Sequence, residues 1–247
     1  GAFITASAVG QWFAGSQSAL LFLLLPLGAV GAAALGAVLE PTLLRPFYRR
    51  PEEYQLLVTF GLLMLLEDLM RFVWGPYPIS ATSLFEKLGS AQVGEFIYPR
   101  YNLLVIAIGG FAAFFLWAFI YRTRFGVVLR ATAQDMRRAS AVGVNVNLVY
   151  VEAFTIGCFM AGLGGAIVVP SQSAVLGMGV DALVLAFIVV VIGGLGSLEG
   201  ALAGALIVGI VREIGISVFP EIELAVLYLI AAIVLLVRPA GLFGRAT

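Results

Sequence analysis

Residues 122–147 read RTRFGVVLRATAQDMRRASAVGVNVN and form a charged stretch between two strongly apolar runs. The stretch holds five of the chain's fourteen Lys and Arg residues and a single acid, Asp135. Each flanking run is close to the ~20 residues that a helix needs to cross a bilayer. A basic, partly helical segment between two membrane spans is typical of a cytoplasmic loop. The pattern therefore predicts a membrane protein with an organised loop that faces the cell interior.

The composition excludes an ordinary water-soluble domain. Hydrophobic residues make up 62% of the 247 residues and charged residues 11%, and the mean hydropathy is +1.07. Soluble chains keep roughly a quarter of their residues charged. The apolar residues come in long runs, not in the short alternating segments of a transmembrane β-barrel. We therefore predict an all-α fold, a polytopic transmembrane helical bundle that forms one domain over residues 1–247.

The apolar runs predict about eight spans, of which the first is partial. Their bounds are 1–14, 18–39, 54–74, 101–121, 150–169, 180–194, 200–214 and 223–237. Because the chain begins at Gly1 and its first run is short, we expect a further span before it. Ten of the fourteen Lys and Arg residues lie in 40–53, 122–147 and 238–247. Strict alternation puts these three segments on one side, which the positive-inside rule makes cytoplasmic.

The residue types exclude several classes of function. The chain has no His, and its one cysteine, Cys158, lies within an apolar run. No nucleophile and base stand at a suggestive spacing, and no Cys, Asp or Glu cluster has metal-ligand spacing. The net charge of zero gives no reason to expect a nucleic-acid partner. We predict no enzyme, and no catalytic, cofactor-binding or metal-binding residue on this chain.

A second candidate site lies where segments 180–194 and 200–214 are joined by a glycine-rich turn. Short, glycine-interrupted segments often mark a transport site, although a tight turn between packed helices is an equally good interpretation. Three acidic residues near outer span ends could line the mouth of a pathway, or could be interfacial or paired charges. The candidate pathway residues are Gly193, Gly194, Gly196, Ser197, Asp181, Glu67 and Asp68. No carboxylate stands out near the membrane midplane, so we expect the driving energy to come from outside the chain.

Small residues also recur at helical spacing inside the spans. Gly157, Ala161 and Gly165 follow an i, i+4, i+8 pattern, and Gly200 and Gly204 form a GxxxG match. Small residues let transmembrane helices approach closely, so the pattern predicts packing within the bundle.

Within the charged loop, residues 127–142 have a helix-forming composition and no proline. They predict one short, weakly amphipathic helix, with Gly143 as its stop signal and Asn145 in the exit turn. Two interpretations of its basic surface stay open. The helix could dock another protein, or it could rest on anionic lipid headgroups.

Three stretches resemble the membrane permease subunit of branched-chain amino acid ABC importers, the Liv type. They are RPFYRRPEEYQLLVTFGLLMLLEDL (45–69), FGVVLRATAQDMRRASAVGVNVN (125–147) and AFIVVVIGGLGSLEGALAGALIVGI (186–210), and the tail VRPAGLFGR (237–245) also fits. The chain departs from this family in two respects. The family begins with a further span and an Asn-Phe-Ala-His-Gly-type segment, and it commonly has Pro where this chain has Glu199.

The resemblance implies a permease subunit in a bacterial inner membrane that moves branched-chain or related small amino acids into the cytoplasm. It implies two cytoplasmic ATPase subunits that bind ATP and Mg²⁺, a homologous permease partner, a periplasmic substrate-binding protein and surrounding membrane lipid. The coupling loop 122–147 would then dock the ATPase, and no cofactor would bind this chain. The docking residues assigned on this basis are Arg130, Asp135, Arg137, Arg138, Ala139, Gly143 and Asn145. The alternative is a stand-alone secondary transporter or facilitator of small polar solutes.

Overall fold

The structure is a computed structural model that describes residues 1–9, 25–48, 50–81, 89–93, 96–194, 196–218, 223–238 and 241–243. The chain divides into two compact units, Gly1–Leu176 and Gly177–Thr247. Each unit packs its own helices. The expectation of a single domain over residues 1–247 stays a prediction.

The first unit contains seven described α-helices and one β-hairpin. The helices are α1 (Ala2–Ser7), α2 (Leu25–Leu39), α3 (Glu52–Trp74), α4 (Arg100–Arg122), α5 (Arg124–Gln134), α6 (Met136–Ala141) and α7 (Val146–Gln172). A π-helical turn, Glu40–Leu44, and a 3₁₀ turn, Arg45–Phe47, continue α2. The hairpin pairs β1 (Ser90–Val93) with β2 (Phe96–Pro99) in antiparallel register. It lies within segment 75–100, where the hydropathy pattern indicated only a loop.

The helices α2 and α7 pack closely because small residues line their contact. A Cβ atom added to Gly162 would lie 2.6 Å from Cβ of Ala32 and 2.9 Å from Cα of Ala29. A Cβ atom added to Gly36 would lie 2.6 Å from Sγ of Cys158. These positions therefore require small side chains if the two backbones are to approach.

The small-residue stripe predicted on α7 is displaced. Gly157 has nothing within 4 Å of a built Cβ, whereas its neighbour Cys158 contacts α2. Gly165 lies against Ala2 of α1, with its built Cβ 3.3 Å from the Ala2 nitrogen. Small residues thus line the packed face of α7 as predicted, but the face that contacts α2 runs through Cys158 and Gly162, one position along from the predicted Gly157 and Ala161.

Segments on the predicted outer side meet at one end of the first unit. Ile79, which follows α3, forms a β-bridge with Ala174, which follows α7. The hydroxyl oxygens of Ser80 and Ser173 lie 2.9 Å apart. The C-terminal ends of α3 and α7 are therefore joined, which agrees with the alternation of spans that predicts both ends on one side.

The second unit packs three helices, α8 (Met178–Gly193), α9 (Leu198–Val218) and α10 (Glu223–Val237). Its buried core consists of Ile188, Ile192, Val208, Leu227 and Ala231. The GxxxG pair serves the contact of α9 with α8, because a Cβ on Gly204 would lie 2.6 Å from the Val189 carbonyl oxygen. The predicted role in bundle packing is thus confirmed.

Four of the described helical stretches are long and apolar enough to cross a membrane. They are Leu25–Phe47, Arg100–Arg122, Val146–Gln172 and Leu198–Val218. Met178–Gly193 and Ala225–Leu236 are apolar but shorter. The predicted runs 1–14 and 18–39 lie partly outside the described residues. The architecture is a helical membrane bundle, and the count of eight spans is not confirmed.

Candidate functional site

The loop between α4 and α7 folds as two short helices, α5 and α6. The prediction of one helix over 127–142 is wrong, because Asp135 adopts an extended conformation with φ −153° and ψ 97°. Its Oδ1 accepts hydrogen bonds from the backbone N–H groups of Arg137 and Arg138, each at 3.0 Å. Asp is a favoured N-cap because its carboxylate satisfies the free N–H groups of a first helical turn. Asp135 therefore starts a new helix.

The end of α6 is closed by a Schellman motif. Gly143 has φ +88°, a conformation that favours glycine. Its N–H donates to the Ser140 carbonyl at 3.0 Å, and the Val144 N–H donates to the Ala139 carbonyl at 3.1 Å. The predicted helix stop at Gly143 is confirmed.

The next helix begins at once. Asn145 is the N-cap of α7, and its Oδ1 accepts from the Leu148 N–H at 3.3 Å. Because only Val144 separates Gly143 from this cap, α6 is joined to a membrane helix through a short connection in which the N–H groups of Val142, Gly143 and Val144 are hydrogen-bonded. Asn145 thus serves as the exit residue that the sequence predicted.

Two of the residues assigned to docking are engaged inside the first unit. The guanidinium group of Arg130 donates to the Ile120 carbonyl at the end of α4 and lies 4.9 Å from the Tyr121 ring centroid. Ala139 is buried at 4% exposure. Arg130 therefore ties α5 to α4, and Ala139 anchors α6. The Arg130 side chain is half-buried and the Ala139 side chain is buried, so both are less accessible than Arg137 and Arg138.

The surface of α6 is exposed. Arg137 and Arg138 are both exposed, and Nε of Arg138 lies 2.8 Å from Oδ2 of Asp135. Met136 and Val142 add apolar surface, at 52% and 82% exposure. A short, capped helix therefore presents two guanidinium groups beside apolar side chains.

The glycine-rich turn of the second unit is closely packed. Gly194 and Gly196 have φ values of +100° and +82°. The Ser197 hydroxyl oxygen accepts from the Gly200 N–H at 3.0 Å and caps α9. A Cβ atom added to Gly193 would clash with the Gly200 carbonyl. Leu195 lies outside the described residues.

The tail of the chain satisfies the backbone at the end of α8. The N–H groups of Leu242 and Phe243 donate to the carbonyls of Ile192 and Gly193, at 2.9 and 3.0 Å. A transport site made from unwound helix needs backbone groups that face a cavity. These two carbonyls are already bonded, which favours the interpretation as a tight turn between packed helices.

The acidic candidates are distributed over both units. Glu67 is half-buried and Asp68 is exposed on α3, and neither forms an ion pair with Arg71 there. Asp181 is exposed in the first turn of α8. Among the described residues, no three His, Cys, Asp or Glu side chains come together to hold a metal ion.

Glu40 is the functional candidate that the sequence analysis missed. The hydropathy pattern places Glu40 in the loop 40–53, but its side chain is fully buried in the π-helical turn. Nη2 of Arg45 lies 3.4 Å from Oε2 of Glu40 and donates to the Asn147 carbonyl on α7 at 3.3 Å. The signal was present in the sequence, because Glu-Pro ends an apolar run and Arg follows five positions later. Buried ionisable groups in membrane proteins usually serve function.

Comparison with known proteins identifies a group of similar transport permeases. The family described as "Branched-chain amino acid transport system / permease component" matches residues 1–237. The permease protein BraD of a high-affinity branched-chain amino acid transport system in Pseudomonas aeruginosa is 31% identical over 160 residues, which cover 64% of this chain and 52% of BraD. The corresponding permease protein LivH of Escherichia coli (strain K12) is 28% identical over 233 residues, which cover 91% of this chain and 76% of LivH.

A more distant relative is the probable branched-chain amino acid transport permease protein LivH of Methanocaldococcus jannaschii, at 25% identity over 244 residues. The chain therefore spans about half of the length of BraD and about three quarters of that of the LivH proteins. No solved structure matches the chain.

Proposed function

Because the chain belongs to the family of permease components of branched-chain amino acid transport systems, we propose that it is the membrane subunit of an ATP-driven importer. Its cargo would be branched-chain or related small amino acids, the substrates in the names of its relatives. The protein is a multi-pass membrane permease, and we place it in a bacterial inner membrane. Family membership favours this function over a stand-alone secondary transporter or facilitator.

The proposed importer needs several partners. Two cytoplasmic ATPase subunits would bind ATP and Mg²⁺, so that no cofactor would bind this chain. A homologous permease would form the pathway together with it, and a periplasmic binding protein would deliver the amino acid. Membrane lipid would surround the exposed apolar faces of the spans.

The observation that carries the docking assignment is the exposed, doubly capped helix α6. Helices of this length are marginal in water, so its order depends on the Asp135 cap and the Gly143 stop. Arg137 and Arg138 project from it, and guanidinium groups suit carboxylate partners because they offer a planar fork of donors. We therefore revise the docking contacts to Arg137 and Arg138. Arg130, Asp135, Ala139, Gly143 and Asn145 would position that surface.

The anchoring of the loop suggests how the ATPase would act on the membrane helices. Arg130 holds α5 to the end of α4, and Asn145 starts α7 directly after α6. Closure of the ATPase dimer would push a rigid two-helix loop, and the loop would tilt both spans. ATP binding would thereby shift the permease between outward- and inward-facing states.

A charge-reversal pair with a matched control tests this assignment. The double variant Arg137→Glu/Arg138→Glu is expected to lose co-purification of the ATPase and substrate-stimulated ATP hydrolysis in proteoliposomes. The control Arg122→Glu/Arg124→Glu makes the same charge change at two exposed positions of the same loop and should retain both.

Two outcomes would count against docking. Retention of the ATPase and of coupled hydrolysis by the Arg137/Arg138 variant would refute it. Equal losses in both double variants, reproduced in the unsubstituted protein by removal of anionic lipid, would instead assign the loop to lipid headgroups.

A further inference from the structure

The buried carboxylate of Glu40 lies in an irregular segment at the end of α2. A π-helical turn and a 3₁₀ turn follow one another there, and each contains a proline, Pro41 and Pro46. Proline removes a backbone donor, and short π and 3₁₀ stretches inside helices often mark hinges. Glu40 and Arg45 thus lie where α2 can bend most easily.

This segment is joined to α7 by two separate contacts. The first is polar, from Nη2 of Arg45 to both Oε2 of Glu40 and the Asn147 carbonyl. The second is aromatic, because the rings of Tyr48 and Tyr150 meet edge to face with centroids 5.3 Å apart. Both contacts reach the first turns of α7, where the coupling loop ends. A displacement of α7 at this end therefore acts on the hinge.

Tyr48 lies close to the buried carboxylate. Burial, and then the negative charge of Glu40, raise the pKa of Tyr48 to about 12. The phenol thus stays protonated under physiological conditions. Its ring therefore remains a neutral contact surface between the carboxylate and Tyr150.

The chain of contacts continues into α6. The Tyr150 hydroxyl donates to Sδ of Met136 at 3.1 Å, and Met136 is the first residue of α6. A thioether is a weak acceptor on a flexible side chain, so this contact adds little stability. It depends instead on the position of α6 relative to Tyr150. Contacts thus run from α6 through Tyr150 and Tyr48 to the turn that holds Glu40.

The polar end of this chain is incompletely satisfied. Oε1 of Glu40 and Nε of Arg45 are buried without a hydrogen bond of normal geometry, although the Tyr48 phenol is near enough to the Glu40 carboxylate to act on it as a donor. Buried polar groups are nearly always bonded, and exceptions call for a functional explanation. A hinge with two arrangements would explain these unbonded atoms, because Oε1 of Glu40 and Nε of Arg45 would find hydrogen-bond partners in the second arrangement.

We propose that Met136, Tyr150, Tyr48, Arg45 and Glu40 form a mechanical link that transmits displacement of α6 to the hinge at the end of α2. These are positioning residues, since they act through one another and not on the transported molecule. The proposal rests on the docking function of α6. It adds that α2, and not only α4 and α7, responds to the ATPase.

The test measures coupling apart from docking. The assembled importer, with its ATPase and binding protein, is reconstituted in liposomes, and leucine uptake is divided by the ATP hydrolysed. Tyr150→Leu removes the ring contact and the hydroxyl. It should retain the ATPase but raise the ATP used per leucine about tenfold, within the ~5- to 150-fold range of coupling between sites. The matched control is Tyr54→Leu, a half-exposed tyrosine in the first turn of α3.

Volume-conserving variants keep the test decisive if Tyr150→Leu fails to fold. Tyr150→Phe and Met136→Leu each remove one end of the hydroxyl–sulfur contact and should each raise the same ratio by about twofold, the size of a weak contact. The link is refuted if neither does so, or if uptake falls only in proportion to the amount of assembled complex. Loss of the ATPase from these variants would likewise refute it, because it would assign them to docking. Failure of the docking proposal itself is recognised separately, by retention of the ATPase in the Arg137/Arg138 variant.

Discussion

The Asp135 carboxylate contacts Arg138 twice, once at its backbone N–H and once at its guanidinium group. Oδ1 of Asp135 accepts the backbone N–H of Arg138 at 3.0 Å, and Oδ2 lies 2.8 Å from its Nε. One carboxylate therefore starts α6 and also fixes the direction of an exposed guanidinium group. The exposed ion pair contributes little to stability, whereas an N-cap contributes more.

Substitution of Asp135 separates these two roles. Asp135→Asn keeps a capping oxygen and loses the ion pair, so its free energy of unfolding should change by less than about 1 kcal/mol. Asp135→Ala loses both and should cost about 1 kcal/mol. Thermal unfolding of the purified permease, followed together with ATPase co-purification, measures the difference. Equal destabilisation by Asn and Ala would show that the cap is not the stabilising role.

Gly143 should tolerate asparagine but not valine. At φ +88° a β-branched side chain is strained, and the left-handed region costs roughly 1–2 kcal/mol for residues other than glycine. Asn enters this region more readily. We expect Gly143→Val, and not Gly143→Asn, to lower the melting temperature and the yield of the ATPase complex. Identical behaviour of the two variants would contradict the Schellman assignment.

Packing of α2 against α7 should be disrupted by a larger residue at Gly162 but not by one at Gly164. A methyl group at Gly162 would meet Cβ of Ala32 and the backbone of Ala29, whereas Gly164 has open space within 4 Å. Overpacking of this kind costs about 1–3 kcal/mol. Gly162→Ala should therefore lower the melting temperature in detergent, and Gly164→Ala should leave it unchanged or raise it slightly. A reversed order would place the packed face of α7 elsewhere.

Ser197 distinguishes the two interpretations of the glycine-rich turn. Because Ser197 is the N-cap of α9, Ser197→Ala should lower the free energy of unfolding by about 1 kcal/mol. Ser197→Thr keeps a capping hydroxyl and should retain most of that stabilisation. Because we assign it to capping, the leucine concentration for half-maximal uptake should stay constant in both variants. A shift in that concentration without a change in stability would return Ser197 to the transport pathway.

The long helices could be predicted from hydropathy because a long run of apolar side chains must be buried, either in the membrane or against a neighbouring helix. The runs 54–74 and 101–121 became Glu52–Trp74 and Arg100–Arg122. The break at Asp135 was missed because residues 127–142 have helical composition throughout. A cap that interrupts such a run depends on one side chain turning back on its own backbone. The sequence-based interpretation assigns Asp135 to ATPase docking and not to a helix cap.

The positions of charged side chains were harder to predict than the helices that carry them. Arg130 and Arg137 look alike in a basic segment, yet one bonds the Ile120 carbonyl and the other is exposed. Which of them points inward depends on the angle between α4 and α5, which sequence periodicity does not contain. Glu40 was missed for a similar reason. A carboxylate at the end of an apolar run reads as solvated until Arg45 and α7 are known to cover it.

The bonds from Leu242 and Phe243 to the end of α8 have a consequence for biogenesis. The carbonyls at positions 192 and 193 emerge from the ribosome well before the donors at 242 and 243. During translation these two carbonyls at the end of α8 therefore lack the tail's N–H donors while α9 and α10 are being inserted.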